Sequence, residues 1–329
     1  MTLFSQLGML SETAESRYGT VSLPLPDTRE TIPLTWQIIW MEVAGQALPI
    51  VEYALADTPG TAERRTVLVL GGGGCCGAQF ARVAQLCAGH GIRLVMFDQP
   101  GRTPPGFLGE ATPPSSLVKL SGPGRRRRII DRMIERWMRL APSGSIEIAA
   151  HSAGFLDASR IAPSLAAAIQ RYTILGSALP GFAAMRNAYR AATEVNAASK
   201  LNLFEILRSR QAPTGQPHLH FGPRDARVLG DEELERLMGA EHIGVVLNLL
   251  RRSAFGTAIW RNVRVDLVCS AGDRIAPEAL MRQAADALRS FGADVRFHQI
   301  GGTLPHMFFM FEAGAAAVAD VICSSGARA

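Results

Sequence analysis

The chain has 329 residues, enough for one large domain or two small ones. Hydrophobic residues make up 47% of it and charged residues 19%, which excludes a disordered or strongly solvating chain. The formal charge is +5, yet apart from the run Arg125 to Arg128 the cations are scattered, so no nucleic-acid partner is expected. Residues 1–19 carry Glu12 and Glu15 and lack the basic start and apolar run of a signal peptide. Two strand-like stretches, 37–43 and 48–56, are joined by Ala44-Gly45-Gln46 and read as a hairpin. From residue 66 short β-branched runs at 66–70, 92–97, 145–150, 172–176, 265–270 and 294–300 alternate with helical patterns. The helices are expected at 77–89, 124–140, 152–169, 276–291 and 306–323. Near-continuous apolar strands in such an alternation predict a mostly parallel sheet with helices on both faces.

The alternation breaks once. Between Pro180 and Trp260 there is no strand pattern, only helical patterns at 183–195, 198–209, 231–239 and 241–253 around a Gly/Pro-rich loop at 212–224. This predicts a helical insertion between two core strands. No apolar run reaches the ~18–20 residues of a membrane helix, so no membrane association is expected.

The segment Ala150-His151-Ser152-Ala153-Gly154 follows a strand and opens a helix. A serine on a sharp strand–turn–helix has its Oγ lifted above the sheet, and the residues two before and two after it must be small. Ala150 stands where glycine is usual. Downstream, the strand at 265–270 is followed by Ala271-Gly272-Asp273, and the strand at 294–300 by a loop ending at His306. A nucleophilic serine needs a base within hydrogen-bond reach and a carboxylate to orient that base. Loops at the C-terminal ends of neighbouring parallel strands converge, so Ser152, Asp273 and His306 can meet there. They occur in the chain order Ser, Asp, His.

With these pieces the sequence resembles the α/β-hydrolase family over residues 36–321. The hairpin, the serine turn, the helical insertion and the late Asp and His all correspond, as does Asp98-Gln99-Pro100-Gly101 after a strand. The resemblance implies an α/β-hydrolase core at 1–180 and 261–329 with a helical cap at 181–260. It implies catalysis by Ser152, Asp273 and His306, with the backbone N–H groups of Gly73 and Ala153 as the oxyanion hole, and no metal or organic cofactor. The substrate expected is an ester, thioester or lactone of a small to medium apolar metabolite, with an acyl-carrier or CoA-linked substrate left open.

The run Gly71 to Gly74, then Cys75-Cys76-Gly77, also spells Gly72-x-Gly74-x-x-Gly77 after a strand and before a helix. That is the form of a dinucleotide fingerprint, and Asp98 lies where a ribose-binding acid belongs. An NAD(P)-binding oxidoreductase is therefore the competing reading. Three features count against it. Two strands precede the glycine strand, no tyrosine has a lysine four residues on, and Ser152, Asp273 and His306 would go unexplained. A hydrolase-fold ligand-binding protein without catalysis is the other alternative.

Lesser features carry less. The four arginines at 125–128 could form an anion site, but a solvated first helical turn is the simpler expectation. His218 and His220 lack further ligands at metal-binding spacing. The five cysteines are Cys75, Cys76, Cys87, Cys269 and Cys323; their odd number and apolar contexts predict reduced thiols and a cytoplasmic protein. Leu207, Leu237, Val246 and Leu250 belong to the apolar faces of the expected cap helices.

Overall fold

The computed structural model describes residues 18–28, 30–43, 46–56, 65–72, 75, 77–98, 123–141, 146–181 and 255–324. The expected cap helices, Gly73, Gly74, Cys76 and the histidines at 218 and 220 lie outside them.

A nine-stranded sheet runs through these residues. Its strands are β1 (Tyr18–Pro24), β2 (Thr31–Val43), β3 (Gln46–Leu55), β4 (Arg65–Leu70), β5 (Ile92–Asp98), β6 (Ile146–His151), β7 (Ile169–Leu175), β8 (Arg264–Ser270) and β9 (Asp294–Ile300). The spatial order is β1-β2-β3-β5-β4-β6-β7-β8-β9. β1 to β3 form an antiparallel meander that joins β5 antiparallel, and β4 to β9 are parallel to one another. Helices α1 (Ala81–Ala88), α2 (Pro123–Leu140), α3 (Ala153–Ala158), α4 (Pro163–Ala166), α5 (Glu278–Ser290) and α6 (Glu312–Cys323) connect and cover them.

Both faces of the central strands are covered, as their continuous apolar runs require, whereas β9 at the edge is partly exposed. Val67, Val69 and Ala149 bury on one face against α1, α6 and the aromatic run Phe308-Phe309. Leu68, Leu70, Ile148 and Ala150 bury on the other against α2, α3 and α5. Successive residues of one strand thus serve opposite cores, the period of two expected of a pleated strand. On the first face Phe80 stacks on Phe309 with ring centroids 4.0 Å apart.

Several details depart from the expectations. β1 is not among the expected strands; it is an edge strand with one partner, and its short Thr-Val-Ser-Leu alternation is flanked by a glycine and a closing proline. The single helix expected at 152–169 is two short ones, because Pro163 has no N–H to continue a helix and instead starts α4. β7 accordingly begins at Ile169. The helix expected from His306 begins as a 3-10 turn, Phe308–Met310, before α6.

Candidate active site

β6 ends at His151, and Ser152 follows with φ 51° and ψ −120°. Among the described non-glycine residues only Ser152 and Asn262 have positive φ. An L-residue there is strained by its Cβ and persists only where the surroundings over-determine it. The determinants are visible. The Ser152 N–H donates to the Leu175 carbonyl at 3.0 Å, and the Ser177 hydroxyl donates to the Ser152 carbonyl at 2.8 Å. Gly154 lies directly on the Leu70 carbonyl, where a Cβ could not fit. A Cβ on Gly72 would stand 2.7 Å from Ser152 Cβ, so the glycine loop after β4 packs on the turn. Ala150 is fully buried with Leu70 and Ile174, so its methyl group is part of the core.

Asp273 follows β8 and His306 follows β9. His306 Nδ1 donates to Asp273 Oδ2 at 2.8 Å, and the two residues are 1% and 2% exposed. The other carboxylate oxygen, Oδ1, accepts the N–H groups of Ile275 at 2.9 Å and Ala276 at 2.8 Å. Those bonds leave Oδ2 aimed at the imidazole and set its Nδ1–H tautomer. The loop bearing His306 is tied back by the Ser270 hydroxyl, which donates to the Leu304 carbonyl at 2.6 Å. Gly176, with φ +50°, sits against the Asp–His pair.

The structure thus joins Asp273 to His306 directly. It places Ser152 one residue beyond His151, whose ring packs on that of His306 at 4.6 Å between centroids. Ala153 is the first residue of α3, where a backbone N–H has no intrahelical acceptor. Gly73 lies outside the described residues. His151 is a contact that the sequence reading did not single out; its place just before the serine was the available signal.

Asp98 has a different placement from the one a dinucleotide site requires. It is 1% exposed, its Oδ1 accepts the Gly77 N–H and its Oδ2 accepts the Tyr53 hydroxyl. Gly77 itself lies on β5, where a Cβ would stand 2.6 Å from the Phe97 nitrogen. This glycine and this acid hold α1 to the sheet, and a ribose would have to displace both bonds.

The arginine run is engaged in part. Arg126 pairs with Asp157 of α3 at 2.7 Å, and Arg127 faces Asp131 at 3.6 Å, while Arg128 is exposed. A cavity of about 910 Å³ lined by Glu147, Arg171, Arg261, Arg264 and Arg296 lies at the other ends of the parallel strands, away from Ser152. Among the described residues no group of three His, Cys, Asp or Glu could hold a metal ion, and no helix is long and apolar enough to cross a membrane.

No protein-family model matches the chain, and no curated protein matches it by sequence. Solved structures do. A monoacylglycerol lipase from Paleococcus ferrophilus is 19% identical with a TM-score of 0.55, covering 80% of this chain and 94% of its own. The thioesterase domain from the curacin biosynthetic pathway is 18% identical with a TM-score of 0.56, covering 87% and 99%. A serine hydrolase from the polyaromatic-hydrocarbon-degrading bacterium Cycloclasticus zankles is 11% identical with a TM-score of 0.53, covering 87% and 98%. Strand order, the strained serine turn and these likenesses agree, and the chain has the α/β-hydrolase fold.

Proposed function

We propose that the chain is a serine hydrolase that cleaves an ester, thioester or lactone of a small to medium apolar metabolite through an acyl-enzyme. The observation that carries this reading is the buried Asp273–His306 hydrogen bond, together with a serine held at φ 51° one residue after His151, whose ring packs on His306. Ser152 Oγ attacks the carbonyl carbon as His306 Nε2 takes its proton. Asp273 stabilises the imidazolium that forms. The N–H groups of Gly73 and Ala153 take the oxyanion, each donor worth ~3 kcal/mol in the transition state. His306 then gives its proton to the leaving alkoxide or thiolate and activates the water that releases the acid.

The reaction requires no metal or organic cofactor. Residues 181–260 serve as the helical cap over the acyl pocket, and the lipase and thioesterase likenesses keep oxygen and thiol esters, including carrier-linked ones, in the substrate class. The odd number and apolar contexts of the cysteines support reduced thiols and a cytoplasmic protein in this reading. The engaged Asp98 leaves the dinucleotide alternative without support.

The test is labelling by a fluorophosphonate probe with peptide mapping. Modification at Ser152 in the wild type, lost in Ser152→Ala and His306→Ala, is the expected result. A folded wild type that takes no label would sink the reading in favour of a ligand-binding role.

A further inference from the structure

We propose that His151 is a positioning residue that fastens the loop bearing His306 to the turn bearing Ser152; the inference rests on the triad reading above. His151 is fully buried, on the sheet face where Ala149 packs with Phe308 and Phe309. Its Nε2 lies 3.2 Å from the backbone carbonyl oxygen of His306. A carbonyl only accepts, so the imidazole proton sits on Nε2 and is donated to it. The ring also packs on the His306 ring, 4.6 Å away and tilted by 47°, and meets Phe309 edge-on at 4.8 Å. Its opposite edge faces the glycine loop, where a Cβ on Gly72 would stand 2.9 Å from Nδ1.

One side chain therefore touches the base, adjoins the nucleophile in the chain and borders the glycine loop. Burying an imidazole among aromatic rings is costly unless its polar atoms are hydrogen-bonded, and an aliphatic residue would fill the space without that cost. The bond to His306 explains why a polar ring stands here. The base loop needs such a tether. A Cβ on Gly301 or Gly302 would meet nothing within 4 Å among the described residues, and the bonds that hold the loop lie at its far end, from Ser270 to Leu304 and from His151 to His306 itself. A misplacement of the base by a fraction of an ångström lowers the rate without altering the substrate pocket.

The test compares His151→Leu, His151→Asn and His151→Gln by fluorophosphonate labelling rate, alongside wild type and His306→Ala. Gln places an N–H near the position of Nε2, Asn falls short of it, and Leu offers none. Labelling of the Leu variant is expected to slow by about ten- to a hundredfold, with Gln restoring it to within about threefold of wild type. If Leu fails to fold, Asn against Gln makes the same comparison. With an accepted hydrolytic substrate the loss should fall on kcat and leave KM unchanged. The far-downfield proton signal of the His306–Asp273 bond should broaden in Leu and sharpen again in Gln. A labelled wild type with Leu or Asn equally fast overturns this inference alone, as does a Gln variant no faster than Leu. An unlabelled wild type overturns the triad reading and this inference with it.

Discussion

Gly176 stands so close to Asp273 that a Cβ on it would lie 2.8 Å from the carboxylate Oδ2, the oxygen that holds His306. The same Cβ would be 3.4 Å from two atoms of the His306 ring, and φ at this glycine is +50°. Alanine here meets two separate penalties. The left-handed backbone costs about 1–2 kcal/mol in stability, and the methyl group must displace the carboxylate.

Gly176→Ala should therefore lower the thermal midpoint modestly while slowing fluorophosphonate labelling by roughly ten- to a hundredfold. Both are read on one preparation by a melt and a labelling time course. Labelling at the wild-type rate would mean that the Asp–His pair does not depend on its glycine neighbour.

The serine turn makes a second pair of substitutions informative. Gly154 lies on the Leu70 carbonyl, so Gly154→Ala forces two backbones apart and should cost about 4 kcal/mol or more, beyond the ~0.5–3 kcal/mol of most substitutions. Ala150→Gly deletes one buried methyl and adds chain entropy, and should cost about 1–2 kcal/mol. Chemical denaturation of both variants ranks them. Equal losses would contradict the close approach at Gly154.

Much of this site was legible because small residues and strand ends are local signals. Ala150, Gly154, Asp273 and His306 each follow or close a short apolar run, and parallel strands put such positions at one edge. Pairing partners are different. Nothing in the sequence ties Asp98 to Tyr53 and Gly77, since those bonds span 45 and 21 residues and arise from the sheet order. The glycine motif taken alone therefore also had the form of a phosphate cradle, and only features elsewhere in the chain counted against that reading. His151 was missed for the same reason: its bond to His306 crosses 155 residues. The break of the expected helix at Pro163 was legible, since proline favours the first helical turn over its interior. β1 carries only a short alternation, with Ser22 exposed and Leu23 buried, and it closes on Pro24, so its strand signal is weak.

Far from the serine, Asp266 organises the opposite end of the sheet. It is fully buried and takes Arg171 Nε at 2.6 Å, Arg264 Nε at 3.0 Å and His298 Nε2 at 2.8 Å. Arg171 in turn donates to the carbonyls of Val321 and Ile322, and Arg65 to that of Ile322, satisfying acceptors at the end of α6. Burial pushes the Asp266 carboxyl up, but the His298 bond and the Arg171 and Arg264 charges outweigh it and hold it below the usual range. A carboxylate with a depressed folded value stabilises the fold fully above its unfolded value of ~3.9, and that stability is lost as pH falls through the folded value. Asp266→Asn strands the Arg171 guanidinium in the interior and should cost about 3–5 kcal/mol near neutrality. Melting curves across pH should show the deficit narrowing below about pH 4. A deficit independent of pH would argue against an ionised Asp266.

The thiols differ in a way that chemical labelling can rank. Cys87 near the end of α1 and Cys323 at the end of α6 have sulfurs 3.9 Å apart. Hydrogen bonding with Cys87, which can donate to Cys323 once that sulfur is ionised, lowers the Cys323 thiol to about 7, with His90 and Arg65 adding to the effect and burial opposing it. The same bond, together with burial, pushes the Cys87 thiol up. Burial raises Cys269 to about 11, and Cys75 in the glycine loop is buried. The thiolate is the reacting form, so at neutral pH a small alkylating reagent should modify Cys323 before Cys75, Cys87 or Cys269. Replacing Cys87 with alanine removes the donor, and the pH midpoint for Cys323 alkylation should rise toward the ordinary ~8.5. Peptide mass spectrometry over a pH series reads both. Alkylation of Cys269 as fast as Cys323, or a midpoint that Cys87→Ala leaves in place, would show that the pair does not activate Cys323.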